Sequence, residues 1–435
     1  MNVHSNLAQD NEDSNPHFLE GNRYRVAGQL NEAIASYQKA VKLDPMHSGA
    51  YFNMAGALHL LGMSAEALPL YREALRLKPG DATAHFSVGN VLSDLGNLDD
   101  AVMEYREAIR LDPGLVNAYV NLGNALAGRG LLDAAIEMYQ EAIQIDPEHA
   151  GAYFHLGNVF HTKEWIAEAV ACWEHTISVN PDHGRAHFNL GSAFYNQGDL
   201  EKAVYHYREA VRINPEYADA HHYLADVLSD QGMIDEAISE YKKAIRHDGH
   251  HAPARNNLGL VLRAKGQLDA AIAQWEEAIR LQPSYAEAHH NLGAALFITG
   301  NSHMGIYELR EAIRLQPGHV WAHFNLGVAY NMLGDIESAI ANWQEALQLD
   351  PTLVGAHFNL GNAYYKRGQP EAAMAKWRET LTQDPDHPWA NFNIGGTSRR
   401  LHQADVSAGL YERTTRIRSE VASRAFANTG TVPEA

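Results

Sequence analysis

Numbered within a 34-residue unit that starts at Ser14, positions 4, 7, 8 and 11 carry mostly apolar, small or ring-bearing side chains. Positions 2, 5, 6, 9, 12 and 13 follow a different pattern, with many polar residues. At about 100° per residue the first set clusters along one side of a helix and the second along the opposite side. The first half of each unit thus predicts a helix with a packing stripe and an open face behind it. The second half predicts another helix, whose charges, as in the YREAIRLDP run ending at Pro113, form a solvated face.

The unit length is set by proline. Pro45, Pro79, Pro113, Pro147, Pro181, Pro215, Pro283, Pro317, Pro351 and Pro385 fall on one grid of 34 residues, and Gly249 fills the single vacancy. Position 8 is glycine in ten of twelve units, position 15 is glycine in ten, and position 20 is alanine in ten. Position 24 is aromatic in all but the unit that carries Leu309. Glycine at 15 ends the first helix in the left-handed conformation, and proline at 32 stops the second. Small residues at 8 and 20 let the two helices approach, while the aromatic at 24 fills the space between units. No hairpin buries its own face, so stacked units share one continuous core. Glu164 and Gly305 break the pattern in the fifth and ninth units.

These positions resemble the tetratricopeptide-repeat family over residues 14–387, which gives eleven repeats. Residues 388–421 resemble a degenerate twelfth, capping repeat: Asn393, Ile394 and Gly395 are kept, while His402 and Ser419 replace the glycine and the proline. Residues 1–13 and 422–435 read as disordered tails. The resemblance implies an all-α fold, a right-handed α-solenoid superhelix of about twelve helix hairpins. It also implies that the open face of the first helices lines a concave groove for a protein or an extended peptide.

Position 6 on that face is asparagine in eight units, the last five being Asn257, Asn291, Asn325, Asn359 and Asn393 in succession. An asparagine amide matches the C=O and N–H of a peptide backbone. Helices packed about 8–10 Å apart, against about 3.3 Å per extended residue, put one asparagine at roughly every third peptide residue. The array is similar to that in the repeat domain of O-linked N-acetylglucosamine transferases, which hold peptides through asparagines here. The catalytic region of those enzymes would follow the repeats and has no counterpart in this sequence. The competing reading is that the asparagines bond within the fold. Phenylalanine recurs at position 5, either tucked between units or open to the groove, and Trp321 and Trp389 stand at position 2. The strongest contact patch is expected over units 9 to 12, with Trp321, Phe324, Asn325, Phe358, Asn359, Asn362, Trp389 and Asn393. Chaperone-binding members of the family grip a terminal carboxylate with Lys and Arg at positions 2, 5 and 6. Position 6 here holds neither, so that specificity is not expected.

Composition narrows the partners. The net charge of −19 disfavours nucleic acid and anionic membranes, because phosphate binding needs a basic face. One cysteine, Cys172, excludes an internal disulfide, and the N-terminal residues lack the apolar stretch of a signal peptide. Both place the chain in the cytoplasm, and no apolar run is long enough to span a bilayer. No phosphate loop, dinucleotide fingerprint, HExxH, GxSxG or CxxC motif occurs, so neither an enzyme nor a cofactor is expected. Histidine is abundant, with 25 residues. Those at position 4 read as packed neutral imidazoles and those at position 34 as turn residues, not as metal ligands. The expected role is an adaptor for a protein or extended peptide. The alternatives are a recruiting subunit beside a separate enzyme, such as a glycosyltransferase, and a self-associating scaffold.

Overall fold

A computed structural model describes residues 15–401. Among the described residues there are 23 helices and no strand, from α1 (Pro16–Val26) to α23 (Pro388–Arg400). They fall into two compact units divided after Pro215. The first holds six complete hairpins, α1 to α12 (Leu200–Ile213). The second holds five, from α13 (Ala218–Asp230) to α22 (Pro370–Gln383), followed by α23. Within each unit, every helix packs chiefly on its neighbours in sequence, as a stack of hairpins requires. The proposed tails and the second helix of the twelfth repeat lie outside the described residues.

The turn inside each hairpin follows from position 15. After α5 (Ala82–Asp94), Gly96 has φ +77° and donates to the Ser93 carbonyl, and Asn97 donates to the Leu92 carbonyl at 2.8 Å. This pair of bonds satisfies the carbonyls that the helix end leaves open. The fifth hairpin makes the same turn without glycine: Glu164 has φ +61°, and Glu164 and Trp165 donate to His161 and Phe160. A side chain in this region is strained by about 1 kcal/mol, so Glu164→Gly is expected to raise stability by roughly that amount, read as a shift in urea midpoint.

The second helix ends before its proline. In α6 (Leu98–Leu111) the cap Asp112 is extended, as the residue before a proline must be. The next helix is then capped, in six hairpins, by the histidine at position 34. Its Nδ1 accepts the amide proton three residues on, from His47 to Ala50 at 3.2 Å through to His387 and Ala390 at 3.2 Å. These turn histidines are helix caps, each needing an unprotonated Nδ1.

The aromatic at position 24 does more than fill the seam expected for it. It lies across the glycine at position 8 of its own hairpin: a Cβ placed on Gly89 would sit 2.6 Å from the Tyr105 ring. In the ninth hairpin, α17 (Ala286–Ile298) and α18 (Ser302–Leu315) meet backbone to backbone. There Gly293 faces Gly305, and Leu309 replaces the ring. The position-4 histidines differ from expectation where a glutamate of the second helix lies against the ring, at His85, His221, His289 and His357. His85 touches Glu104 Oε2 at 2.6 Å and the Pro79 carbonyl at 3.1 Å, and His289 touches Glu308 at 2.5 Å and the Pro283 carbonyl at 3.1 Å. At His289, two acceptors on one ring call for two N–H donors, hence an imidazolium. Burial opposes that charge at His289, but the bond to Glu308 and the Pro283 carbonyl outweigh it and raise its pKa. Cys172 is buried, which pushes its thiol up to about 11 and leaves it inert as a nucleophile at neutral pH.

Candidate functional site

The open face of the first helices carries a repeating hydrogen-bond pattern. In the first unit, Asn53 donates to Asn22 Oδ1 at 2.8 Å, Asn121 to Asn90 at 2.8 Å, and Asn189 to Asn158 at 2.9 Å. Each bond runs from position 6 to position 9 of the preceding repeat. The same oxygens accept from the position-24 rings of their own hairpins, Tyr37, Tyr105 and Trp173. One oxygen thus ties a ring, its hairpin and the next repeat together.

The second unit repeats this device with variations. Asn257 donates to Asp226 Oδ1 at 2.9 Å and lies 3.3 Å from His222. Asn393 donates to Asn362 at 3.0 Å, and Asn362 also accepts from Trp377. Where position 9 offers no acceptor, the amide turns to position 5: Asn291 reaches Asn256 Oδ1 at 2.9 Å, and Asn325 reaches His290 Nε2 at 2.8 Å. His290 must then be neutral. Burial, with the nearby charges of His319 and Arg263, lowers its pKa to about 4. For Asn359, positions 5 and 9 of the repeat before it hold Phe324 and Val328, neither of which accepts a hydrogen bond. Among the described residues its side-chain amide has no hydrogen-bond partner.

These bonds correct the picture of five equivalent, open asparagines. Asn257, Asn291, Asn325 and Asn393 each use one N–H between repeats, and Asn291 is buried. Asn359 alone of the five keeps a free amide. The reason is local: an amide next to a side-chain acceptor bonds it, and only the neighbouring repeat decides whether an acceptor is there.

Asn359, Asn362 and Asn393 line one open pocket of about 560 Å³ in the second unit. It is formed by α19 (Val320–Met332), α21 (Val354–Lys366), α23 and the second-helix tryptophans Trp343 and Trp377. Asn257, Asn291 and Asn325 lie outside it, as do the four aromatics expected with them. Trp321 is 53% exposed and edge-on to Phe324, with ring centres 5.7 Å apart. Phe324 is half-buried against Gly355, and Phe358 is half-buried over His387, 4.7 Å away. Trp389 is 56% exposed and edge-on to Phe392 at 6.3 Å. Phe392 and Tyr365 line the pocket and are exposed.

The pocket also contains residues that the sequence reading passed over: Asn331, Lys366, Arg399 and Arg400. All four stand at positions 12 and 13, already assigned to the open face. Their signal was the appearance of cations there in two successive repeats of an acidic chain. Lys366 donates to Asn331 at 3.1 Å, and Arg400 donates to the Tyr365 hydroxyl with its guanidinium 5.8 Å from the ring centre. Among the described residues no helix is long and apolar enough to cross a membrane, and no group of three His, Cys, Asp or Glu side chains is placed to hold a metal ion.

Residues 21–62, 89–130, 329–368 and 361–397 match one family of TPR repeats. Residues 48–81 and 308–341 match two further tetratricopeptide-repeat families. Residues 114–323 match the C-terminal domain of cilia and flagella-associated protein 70. No curated protein matches the chain. Similar solved structures include YrrB, described as a TPR protein with an unusual peptide-binding site. It is 27% identical, with 43% of this chain and 96% of YrrB aligned, at a TM-score of 0.39. The Cut9–Hcn1 hetero-tetramer of the APC/C is 16% identical over 87% of this chain and 95% of the matched chain, with a TM-score of 0.49. MamA is 26% identical over 37% of this chain and 95% of its own, with a TM-score of 0.35.

Proposed function

We propose that this chain, much of which matches tetratricopeptide-repeat families, is a non-catalytic scaffold whose second unit holds a partner protein as an extended segment. The segment would lie along the open face of α19, α21 and α23. The observation that carries this reading is the free Asn359 amide, set in a pocket beside the tied pair Asn362 and Asn393. A backbone needs paired donors and acceptors wherever it leaves water. Asn359 supplies both, and the tied asparagines keep their remaining N–H and lone pair in fixed positions. Exposed Trp389, Phe392 and Tyr365 offer apolar surface beside them, of the kind that anchors interfaces. The asparagine array resembling that of O-linked N-acetylglucosamine transferases fits the same mode of holding. Nothing in it requires transferase chemistry.

Two single substitutions test this reading. Asn359→Ala is expected to weaken binding of peptides selected on the protein by about 0.5–1.5 kcal/mol with no change in melting temperature. Asn291→Ala is expected to lower the melting temperature, because it strips the buried Asn256 of its donor. Titration calorimetry and thermal unfolding read the two effects. Unchanged peptide affinity in Asn359→Ala rejects the assignment of this face.

A further inference from the structure

We infer that the pocket between α21 and α23 is a seat for an acidic segment, one that carries two carboxylates about three residues apart. This rests on the peptide-holding reading above and specifies its partner.

The two position-13 cations, Lys366 and Arg400, are exposed, and neither has a carboxylate partner among the described residues. No Asp or Glu lines the pocket they enter. This acid-free pocket, entered by two cations, stands in a chain whose net charge is −19. Several other cations are matched within their own helix, as in Arg110 with Glu107, Arg280 with Glu277 and Arg314 with Glu311.

The equivalent place in the first unit shows what matching looks like here. Position 13 of one repeat meets position 12 of the repeat before it, and there Asp94 pairs with His59 at 2.6 Å. In the second unit the same contact joins Lys366 to Asn331 and Arg400 to Tyr365. Both contacts are to neutral groups. They position the cations without neutralising them, and the complementary charge has to come from a ligand.

The spacing indicates a chain with two acids. Lys366 and Arg400 occupy the same position on first helices of consecutive repeats, which packing sets about 8–10 Å apart. An extended chain covers that distance in about three residues. Asn359 and Asn393 lie beside this path to meet the backbone, and the exposed Phe392 ring takes an apolar side chain between the acids. A nucleic-acid strand would also supply anions, but with a charge on every nucleotide it would meet the repulsion of a chain of net charge −19 all along its length, whereas a segment with two acids meets it only where the two cations stand.

The test is selection of random dodecapeptides on the full-length protein, repeated on a Lys366→Glu/Arg400→Glu variant and on a Lys366→Gln/Arg400→Gln variant. The wild type is expected to enrich peptides with paired Asp or Glu two to three residues apart. Those peptides should bind both variants at least tenfold more weakly by fluorescence anisotropy, and more weakly as salt rises. Melting temperatures should change little, since both cations are exposed and each loses only a solvent-facing contact to a neutral group. Enrichment of peptides without acidic bias, or acidic peptides that bind the variants equally well, overturns the acidic seat while leaving the peptide-holding face intact. Failure to enrich any peptide overturns both readings. Tight binding of an oligouridylate probe that the acidic peptides cannot displace overturns the acidic seat in favour of nucleic acid.

Discussion

Gly361→Ala is expected to destabilise the protein by about 1–3 kcal/mol, although alanine is the better helix former. A Cβ on Gly361 would lie 2.4 Å from the indole of Trp377. Trp377 is almost completely buried, and its Nε1 is held by Asn362 at 3.1 Å, so the ring has nowhere to retreat. Moving it would also release the oxygen to which Asn393 bonds. The loss should therefore exceed the gain of roughly 0.5–1 kcal/mol that alanine brings to a helix interior. Urea unfolding followed by circular dichroism gives the number. The cause can be separated from a general intolerance of alanine. Units 2 and 7 carry Ala55 and Ala225 at this position, each with a tyrosine, Tyr71 or Tyr241, in place of the tryptophan. Gly361→Ala combined with Trp377→Tyr is expected to recover part of the loss. A Gly361→Ala protein as stable as the wild type would contradict this account of the packing.

Acidification from pH 6.5 towards pH 4 is expected to remove roughly 3 kcal/mol of stability through one histidine pair in the first unit. His187 Nδ1 and His206 Nδ1 stand 3.1 Å apart, both buried, and His187 also contacts the Pro181 carbonyl through Nε2. One nitrogen of the close pair must accept, so both rings cannot be charged. Burial is the larger cause that lowers the His206 pKa to about 4; the facing His187 adds to it, as does Lys202, while Glu209 opposes it. His187 is lowered as well, chiefly by burial. A folded-state pKa below the unfolded value of about 6.5 means that the native state holds fewer protons between the two values. Its contribution is complete above pH 6.5 and is lost as the pH falls towards 4. At about 1.4 kcal/mol per pKa unit, the drop to about 4 sets the size of the effect.

His206→Glu isolates this pair. Position 23 then carries the same residue as Glu104, Glu240 and Glu308, each bonded to the histidine at position 4. The variant should keep its stability between pH 6.5 and pH 5 better than the wild type, because His187 would now gain a partner for its charged form. Other acid-sensitive groups, among them the helix-capping His183 and His319 with lowered pKa values, remain in both proteins and cancel in the comparison. Parallel urea midpoints across that range, with no difference in slope between variant and wild type, would show that the pair does not titrate as described.

The proline grid, the glycine at position 15 and the small residues at 8 were enough to read the hairpins and their length. The division of the first helix into a packing side and an open side was legible too, and the pocket is lined from positions of that open side. The asparagine array was visible as a pattern, but its chemistry was not. Asn359 and Asn393 occupy the same position, yet one amide is free and the other is tied to Asn362. Even the irregular residues kept the expected geometry, for Glu164 turns as a glycine would.

What the sequence alone determined rests on forces that act within a few residues: helical periodicity, the backbone freedom of glycine, the missing N–H of proline. Such forces leave their mark in adjacent letters and repeat with them. What only the tertiary structure decided depends on residues 31 and 35 positions apart, brought together when one hairpin packs on another. Whether an asparagine amide meets an oxygen or a valine is fixed by that contact, as is whether a cation meets an acid or a tyrosine hydroxyl. A buried or half-buried polar group bonds whatever acceptor its neighbour presents and stays available where there is none.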